Sequence, residues 1–79
     1  MKRDTYLITY DGNTAKAHAW NSARRKVESI VREIARQEGT IYHRIGDSHT
    51  REGFAFIRGT STWEGNGRVI EFDIERVSA

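Results

Sequence analysis

The amino-acid sequence predicts an α+β fold in which one helix packs on one face of a mostly antiparallel sheet, with the elements in the order ββαβββ. Three observations lead to this prediction. Residues 21–38 carry apolar side chains at the i, i+3, i+4, i+7 spacing of a single amphipathic helix. The stretches before and after it are rich in β-branched and aromatic residues, and short glycine-containing segments separate them. A lone helix must bury its apolar stripe, and the strands supply the surface for it.

The N-terminal strands are predicted from composition and alternation. Residues 5–10 are β-branched and aromatic without a helical period, which indicates a strand. Residues 11–13, Asp-Gly-Asn, form a hairpin turn because these residue types tolerate the positive φ angles of tight reversals. Residues 14–20 alternate alanine with larger side chains, so we expect a second strand with one small-residue face.

The helix has recognisable ends. Asn21 or Ser22 is expected to cap its first turn by accepting a backbone N–H bond. Gly39 is expected to adopt the left-handed conformation just past its last residue. The apolar stripe is formed by Ala23, Val27, Ile30, Val31, Ile34 and Ala35.

Three further strands follow the helix. Residues 40–45 alternate and predict a third strand, whereas residues 46–53 are polar and bounded by glycine, which predicts a loop. Residues 54–58 form the fourth strand. Residues 64–67 reverse the chain into a final strand over residues 68–77, which has the clearest period of two in the sequence.

Composition predicts a single domain over residues 1–79, with one small core. The hydrophobic share of 37%, the charged share of 30% and the lack of a long apolar run predict a soluble protein that does not enter membranes. The N-terminus lacks the apolar core of a signal peptide, and without cysteine there are no disulfides or thiolate ligands. We therefore expect a cytoplasmic protein. The net charge of +2 does not by itself indicate a nucleic-acid binder.

No catalytic signature is visible, and we predict neither an enzyme nor a cofactor. His18, His43 and His49 lie on separate elements without metal-ligand spacing. Asp47, Ser48 and His49 are the residue types of a catalytic triad, but neighbours along an extended segment point in different directions and cannot form its relay.

The first candidate binding feature is a basic cluster at the start of the helix. Arg24 and Arg25, followed by Lys26, lie where the helix dipole disfavours positive charge. One interpretation is a site for phosphate or for a partner's carboxylates. The other is a solvated surface on which Arg24 pairs with Glu28, and Glu28 with Arg32.

The second candidate is aromatic. Residues 53–57, Gly-Phe-Ala-Phe-Ile, resemble the first ribonucleoprotein signature of the RNA recognition motif, whose aromatics stack on bases. The sequence departs from that family at Glu52, at Gly59 and in lacking a second helix before the last strand.

The register of the last two strands decides whether these aromatics are accessible. An even sum of paired residue numbers buries Phe54 and Phe56, whereas an odd sum exposes both and also allows Arg58 to pair with Asp73. The sequence leaves both registers open.

The third candidate is an acidic stripe on the final strand. Its members alternate with Ile70, Phe72 and Ile74, and are Glu71, Asp73 and Glu75, with Glu64 in the preceding turn. Carboxylates two residues apart lie roughly 6.5–7 Å from each other, so the row could cover basic residues that hold nucleic acid. The alternatives are an edge strand charged against aggregation, and neutralisation by Arg58 and Arg44.

Trp20 and Trp63 both lie beside predicted reversals. Each either closes the edge of the core or anchors a partner.

Residues 5–35, TYLITYDGNTAKAHAWNSARRKVESIVREIA, resemble the layout of small phage-encoded anti-CRISPR proteins that act on type I complexes. The resemblance lies in the Thr-Tyr-Leu-Ile opening, the turn and the helix that follows the second strand at once. It implies a non-catalytic inhibitor that binds the Cascade complex, a host protein assembly, and blocks its engagement of target DNA. The acidic stripe would then cover basic DNA-binding residues, while Arg24, Arg25 and Trp63 would contact the partner elsewhere.

Two other functions remain open at this stage. One is a direct single-stranded nucleic-acid-binding module; the residues concerned are Arg24, Arg25, Lys26, Arg32, Phe54 and Phe56. The other is a small homo-oligomeric structural protein in which the edge of the final hairpin pairs with a second copy. The oligomeric state is therefore either monomer or homodimer.

Overall fold

A computed structural model describes residues 4–78, and of Ser78 it describes the backbone alone. These residues form one helix and one five-stranded sheet, which confirms the predicted α+β fold and its ββαβββ order. The elements are β1 (Thr5–Tyr10), β2 (Asn13–Ala17), α1 (Trp20–Glu38), β3 (His43–Glu52), β4 (Ala55–Gly65) and β5 (Arg68–Ser78). The sheet has the order β2-β1-β5-β4-β3 and every neighbouring pair is antiparallel.

Both predicted tight turns are confirmed. Asp11 and Gly12 connect β1 to β2 with φ angles of 46° and 75°, and Asn66 and Gly67 connect β4 to β5 with 51° and 80°. Two consecutive positive φ angles define the turn whose twist matches that of an antiparallel hairpin. The residue types of these turns were therefore sufficient to place two of the three hairpin reversals.

The ends of α1 agree with the prediction at one terminus only. Gly39 is left-handed, with φ 68° and ψ 34°, and its N–H donates to the carbonyl of Ala35. The predicted N-caps are wrong: Ala19 is the N-cap, no side chain caps it, and Asn21 and Ser22 lie inside the helix. The second strand accordingly ends at Ala17 rather than at residue 20.

The predicted loop over residues 46–53 is also wrong. This segment belongs to β3, which begins at His43 and continues to Glu52, and the turn consists of Gly53 and Phe54. The physical reason is that β3 is an edge strand exposed along nearly its whole length, so its residues need no apolar face. β4 likewise continues to Gly65, seven residues beyond the predicted strand.

The core lies between α1 and one face of the sheet. Its buried side chains are Tyr6, Ile8, Ala17, Ala23, Val27, Val31, Tyr42, Ile70, Phe72 and Ile74. Phe72 is fully buried in the central strand and its ring lies 4.9 Å from that of Tyr10. The opposite face of the sheet carries no helix in the described part of the chain. Between residues 4 and 78 no helix combines the length and the hydropathy that crossing a membrane requires.

Candidate partner-binding face

The uncovered face of the sheet, which we call the open face, carries the acidic side chains of β5. Ile70, Phe72 and Ile74 are at most 2% exposed beneath α1, whereas Glu71 and Glu75 are exposed on the other side. The predicted separation of apolar and acidic side chains by alternation is therefore confirmed. The cause is the period of two, which sends successive side chains of a strand to opposite faces.

β5 is the central strand of the sheet, between β1 and β4. The interpretation of its acids as protection of an edge strand is therefore wrong. The backbone of β5 pairs with β1 at Asp73 and Glu75 and with β4 at all three acidic positions, so the sheet sets the spacing of these residues along the strand. The acidic row therefore lies on the open face of the central strand and not at an edge of the sheet.

The cross-strand neighbours of the acids are partly polar and partly basic. Asp73 lies between Thr9 of β1 and Thr60 of β4, and Glu75 lies opposite Arg58. The Arg58 guanidinium reaches diagonally to Asp73, with N–O distances of 3.2 and 3.3 Å. One of the three carboxylates is thus paired with an arginine of the same face.

Glu71 and Glu75 form no ion pair within residues 4–78. The second predicted neutralising residue, Arg44, does not reach them, because it lies on the helix side, with its guanidinium 5.6 Å from the centre of the Trp63 ring. Glu71 and Glu75, at the two ends of the acidic row, therefore have no counter-ion among the described residues. The charge of Asp73, in the middle, is partly neutralised by Arg58.

The remaining predicted residues divide between the two faces. Glu64 lies on the open face because it pairs with Val69, which precedes Glu71 by two positions on β5. Trp63 points to the helix side, where its indole N–H donates to Ser61 Oγ at 2.8 Å and its ring packs against the core. Trp63 therefore closes the edge of the core and does not adjoin the acidic row.

The basic start of the helix also lies away from the open face. Arg24 donates to Asp47 of β3 at 2.8 Å, and Arg25 is exposed, with its only described polar contact 3.4 Å away at Ser22 Oγ. The predicted ion pairs of Arg24 and Arg32 with Glu28 do not form in the described residues. Asp47, and not Glu28, is the partner because the Arg24 side chain extends from the helix to β3. Arg24 and Arg25 consequently cannot touch the same flat partner surface as Glu71 and Glu75.

The two phenylalanines of the predicted aromatic motif have different environments. β4 and β5 pair with an odd sum, Arg58 with Glu75, which predicts that both rings are exposed. Phe54 is 98% exposed at the hairpin turn, but Phe56 stacks on Trp20 with ring centres 4.6 Å apart. A register shift between β3 and β4 next to this position turns Phe56 to the helix side.

This shift also assembles a cluster that the sequence did not reveal. Around the Phe56 ring lie Trp20, His49 with its ring centre at 5.2 Å, and the guanidinium of Arg51 at 4.9 Å. The members come from α1, β3 and β4, and no local pattern signals a bulge. Burial raises the pKa of the neighbouring Tyr6, whose hydroxyl donates to the Phe56 carbonyl at 2.7 Å.

Among residues 4–78 no group of three or more His, Asp or Glu side chains is arranged to hold a metal ion. Comparisons of the chain with protein-family models, with curated protein sequences and with solved structures gave no significant match. Function is therefore inferred from the faces of this fold.

Proposed function

We propose that the protein is a non-catalytic inhibitor that binds a nucleic-acid effector complex, of the type I CRISPR Cascade class, and blocks its engagement of target DNA. The observation that carries this proposal is the row of carboxylates on the open face of the central strand, formed by Glu71, Asp73 and Glu75. Such an inhibitor acts in the cytosol of the host cell, where the complex meets DNA. The resemblance of residues 5–35 to small anti-CRISPR proteins names the class of target.

The geometry of the row suits a surface that binds a nucleic-acid backbone. Alternate residues of a strand lie roughly 6.5–7 Å apart, so the three carboxylates form a line of about 13–14 Å. Lysine and arginine side chains that hold successive phosphates offer a matching line of positive charge. Because all three residues lie within a strand that already pairs with β4, little ordering of the backbone is needed when the partner binds.

Electrostatic attraction of this kind acts mainly on the rate of association and on specificity. Glu71 and Glu75 should contribute most, because Asp73 already accepts from Arg58. Inhibition should therefore weaken with rising salt, and it requires no turnover, so that one inhibitor molecule blocks one complex.

The decisive experiment measures binding of the protein to purified Cascade and, in parallel, binding of target DNA by that complex. The double variant Glu71→Lys with Glu75→Lys reverses the charge at both ends of the row. We expect its affinity for the complex to fall at least about tenfold, equivalent to about 1.4 kcal/mol, with loss of DNA blocking. Unchanged affinity would refute the proposed role of the open face.

A matched control changes the net charge by the same amount at another place. Glu28→Lys with Glu33→Lys alters two acids of α1, on the side of the molecule away from the open face. This control should bind Cascade like the parent protein. If both double variants lose the same affinity, net charge rather than the acidic row governs binding.

A second candidate function is direct binding of single-stranded nucleic acid. It is favoured by the cationic and aromatic side chains on the helix side of the β3–β4 hairpin, where Arg44 lies over Trp63 and Arg51 over Phe56. Phe54 adds an exposed ring at the tip. A gel shift with labelled single-stranded DNA and RNA at two salt concentrations separates the candidates, because an inhibitor of the proposed kind shifts neither strand by itself.

A further inference from the structure

We propose that two copies of the chain associate through the outer edges of their β3 strands and form a symmetric dimer with a continuous ten-stranded sheet. β3 spans ten residues at the edge of the sheet, contains no proline, and has no strand on its outer side among the described residues. Its backbone N–H and C=O groups on that side are free to pair with another strand.

The opposite edge of the sheet is less suited to such pairing. β2 has five residues and presents Lys16 on the open face next to Leu7. Short length and lysine are two of the means by which proteins prevent edge association. β3 is twice as long, and of the two register shifts in its pairing with β4 only the one between Arg44 and Gly46 has its extra residue on β3, near the beginning of the strand; at the shift between Thr50 and Arg51 the extra residue, Ile57, belongs to β4. Residues 46–52 are regular on the outer side.

The side chains of residues 46–52 are complementary to themselves when two copies run antiparallel about a two-fold axis at His49. In that register Asp47 lies opposite Arg51 of the second copy, and the symmetry repeats the pair. Both side chains project to the helix side, as shown by the contacts of Asp47 with Arg24 and of Arg51 with Phe56. Opposite charges directly across two strands stabilise their pairing.

The same register brings exposed apolar side chains together at both ends of the paired segment. Ile45 is 58% exposed just before the segment, and Phe54 is 98% exposed just after it. In an antiparallel dimer Phe54 of one copy lies beside Ile45 of the other, and the two-fold axis produces this contact twice. The pairing thus accounts for a phenylalanine that nothing within residues 4–78 covers.

The dimer has a consequence that depends on the proposed function. Antiparallel pairing at an edge places the open faces of both copies on the same side of the joint sheet. Five strand spacings then separate the two β5 strands, or about 24 Å at roughly 4.8 Å per strand. A partner with two basic surfaces at that separation would be held at both, which raises its apparent affinity without any new kind of contact.

The first test uses the absence of cysteine from the chain. His49→Cys places one thiol on the two-fold axis, where paired residues have Cα atoms about 4.5–5.5 Å apart, within disulfide range. Mild oxidation should convert this variant to a covalent dimer at concentrations at which Thr14→Cys, on β2, stays monomeric. Equal cross-linking of both variants would overturn the proposal, as would a purely monomeric parent protein in sedimentation at all concentrations.

The second test exchanges the complementary charges. In the Asp47→Arg variant, the new arginine of each copy lies opposite Arg51 of the other copy, so two pairs of like charges replace two pairs of opposite charges. We expect the dissociation constant of the dimer to rise at least about tenfold. Adding Arg51→Asp restores opposite charges in the reverse sense and should bring the constant back to within about threefold of the parent value. Failure of the double variant to recover, with folding verified by circular dichroism, would refute the register. All these measurements use the protein alone, so their outcome is independent of whether it inhibits Cascade.

Discussion

Replacement of Gly59 by alanine tests how closely α1 approaches the sheet. A Cβ atom at this position would lie 2.5 Å from Cη2 of Trp20 and 2.7 Å from the carbonyl oxygen of Ser48. Ordinary contacts of a Cβ begin at 3.4 Å, so both neighbours would have to move by most of an ångström. Trp20 cannot move alone, because its ring stacks on Phe56 and meets the Tyr6 ring edge-on at 5.5 Å.

The expected loss of stability follows from two opposing contributions. Overpacking of this kind costs about 1–3 kcal/mol, and loss of glycine's freedom in the unfolded chain offsets about 0.4–1 kcal/mol of it. Because one of the two crowded neighbours is backbone, we expect a net destabilisation of about 2 kcal/mol for Gly59→Ala. For a domain of this size that lowers the Tm by roughly 8–16 °C.

The matched control is Gly46→Ala in β3. A Cβ atom there would lie 3.6 Å from the nearest side-chain atom, Thr62 Cβ, so it fits without displacement. The unfolded-state contribution is the same, and this variant should be unchanged or more stable by up to about 1 kcal/mol. Urea unfolding followed by far-ultraviolet circular dichroism measures both. If Gly59→Ala unfolds at the same urea concentration as Gly46→Ala, the close approach of Trp20 does not restrict the sheet.

Three further predictions concern individual polar contacts. Tyr6→Phe removes the hydroxyl that donates to the Phe56 carbonyl and should cost about 1–2 kcal/mol in urea unfolding. Burial raises the Tyr6 pKa above 10.0 in the folded state, so the folded protein holds this proton more tightly than the unfolded chain does. The contribution of the Tyr6 hydroxyl to stability should therefore be present below pH 10 and be lost as the pH rises further. If the unfolding midpoint of Tyr6→Phe falls with pH as steeply as that of the parent protein, Tyr6 is not the group responsible. Arg58→Gln removes the ion pair of Asp73 and should raise the association rate with Cascade at low salt, with less than about 1 kcal/mol lost in stability. A slower association rate would contradict the proposed role of the acidic row in binding. Arg68→Ala breaks ion pairs with Asp11 of the β1–β2 turn and with Glu38 at the end of α1. It should lower the urea midpoint slightly in dilute buffer and less in high salt, because salt screens exposed charges. A loss independent of salt would indicate a packing contribution instead.

Local sequence patterns were sufficient to predict those elements that have a clear period of their own or end at a recognisable turn. β1 has the predicted bounds, α1 begins one residue early, and β5 extends the predicted strand by one residue. The alternation of Phe72 and its neighbours with acids already implied one buried and one solvated face, because a strand with a period of two can bury only one of them. The same local pattern is sufficient to identify Glu71 and Glu75 as surface carboxylates without any tertiary contact.

Long-range pairing decided the rest. The position of β5 in the centre of the sheet, the length of β3 and the choice of Asp47 as the partner of Arg24 depend on strands that meet far apart in sequence. One alternative left open by the sequence was that the final hairpin pairs through its edge with a second copy. The fold does not offer that edge, because β4 and β5 each have a neighbouring strand on both sides. The free edge belongs to β3.

The amino-acid sequence by itself determined the kinds of elements, their order and the acidic face of the last strand, since these depend on residues within a few positions of one another. Tertiary structure alone decided which strands are central, where a bulge turns Phe56 to the helix side, and which arginine pairs with the acidic row. The physical reason is that register is a property of two neighbouring strands, which are distant in sequence. A shift of one residue between them moves a side chain to the opposite face of the sheet.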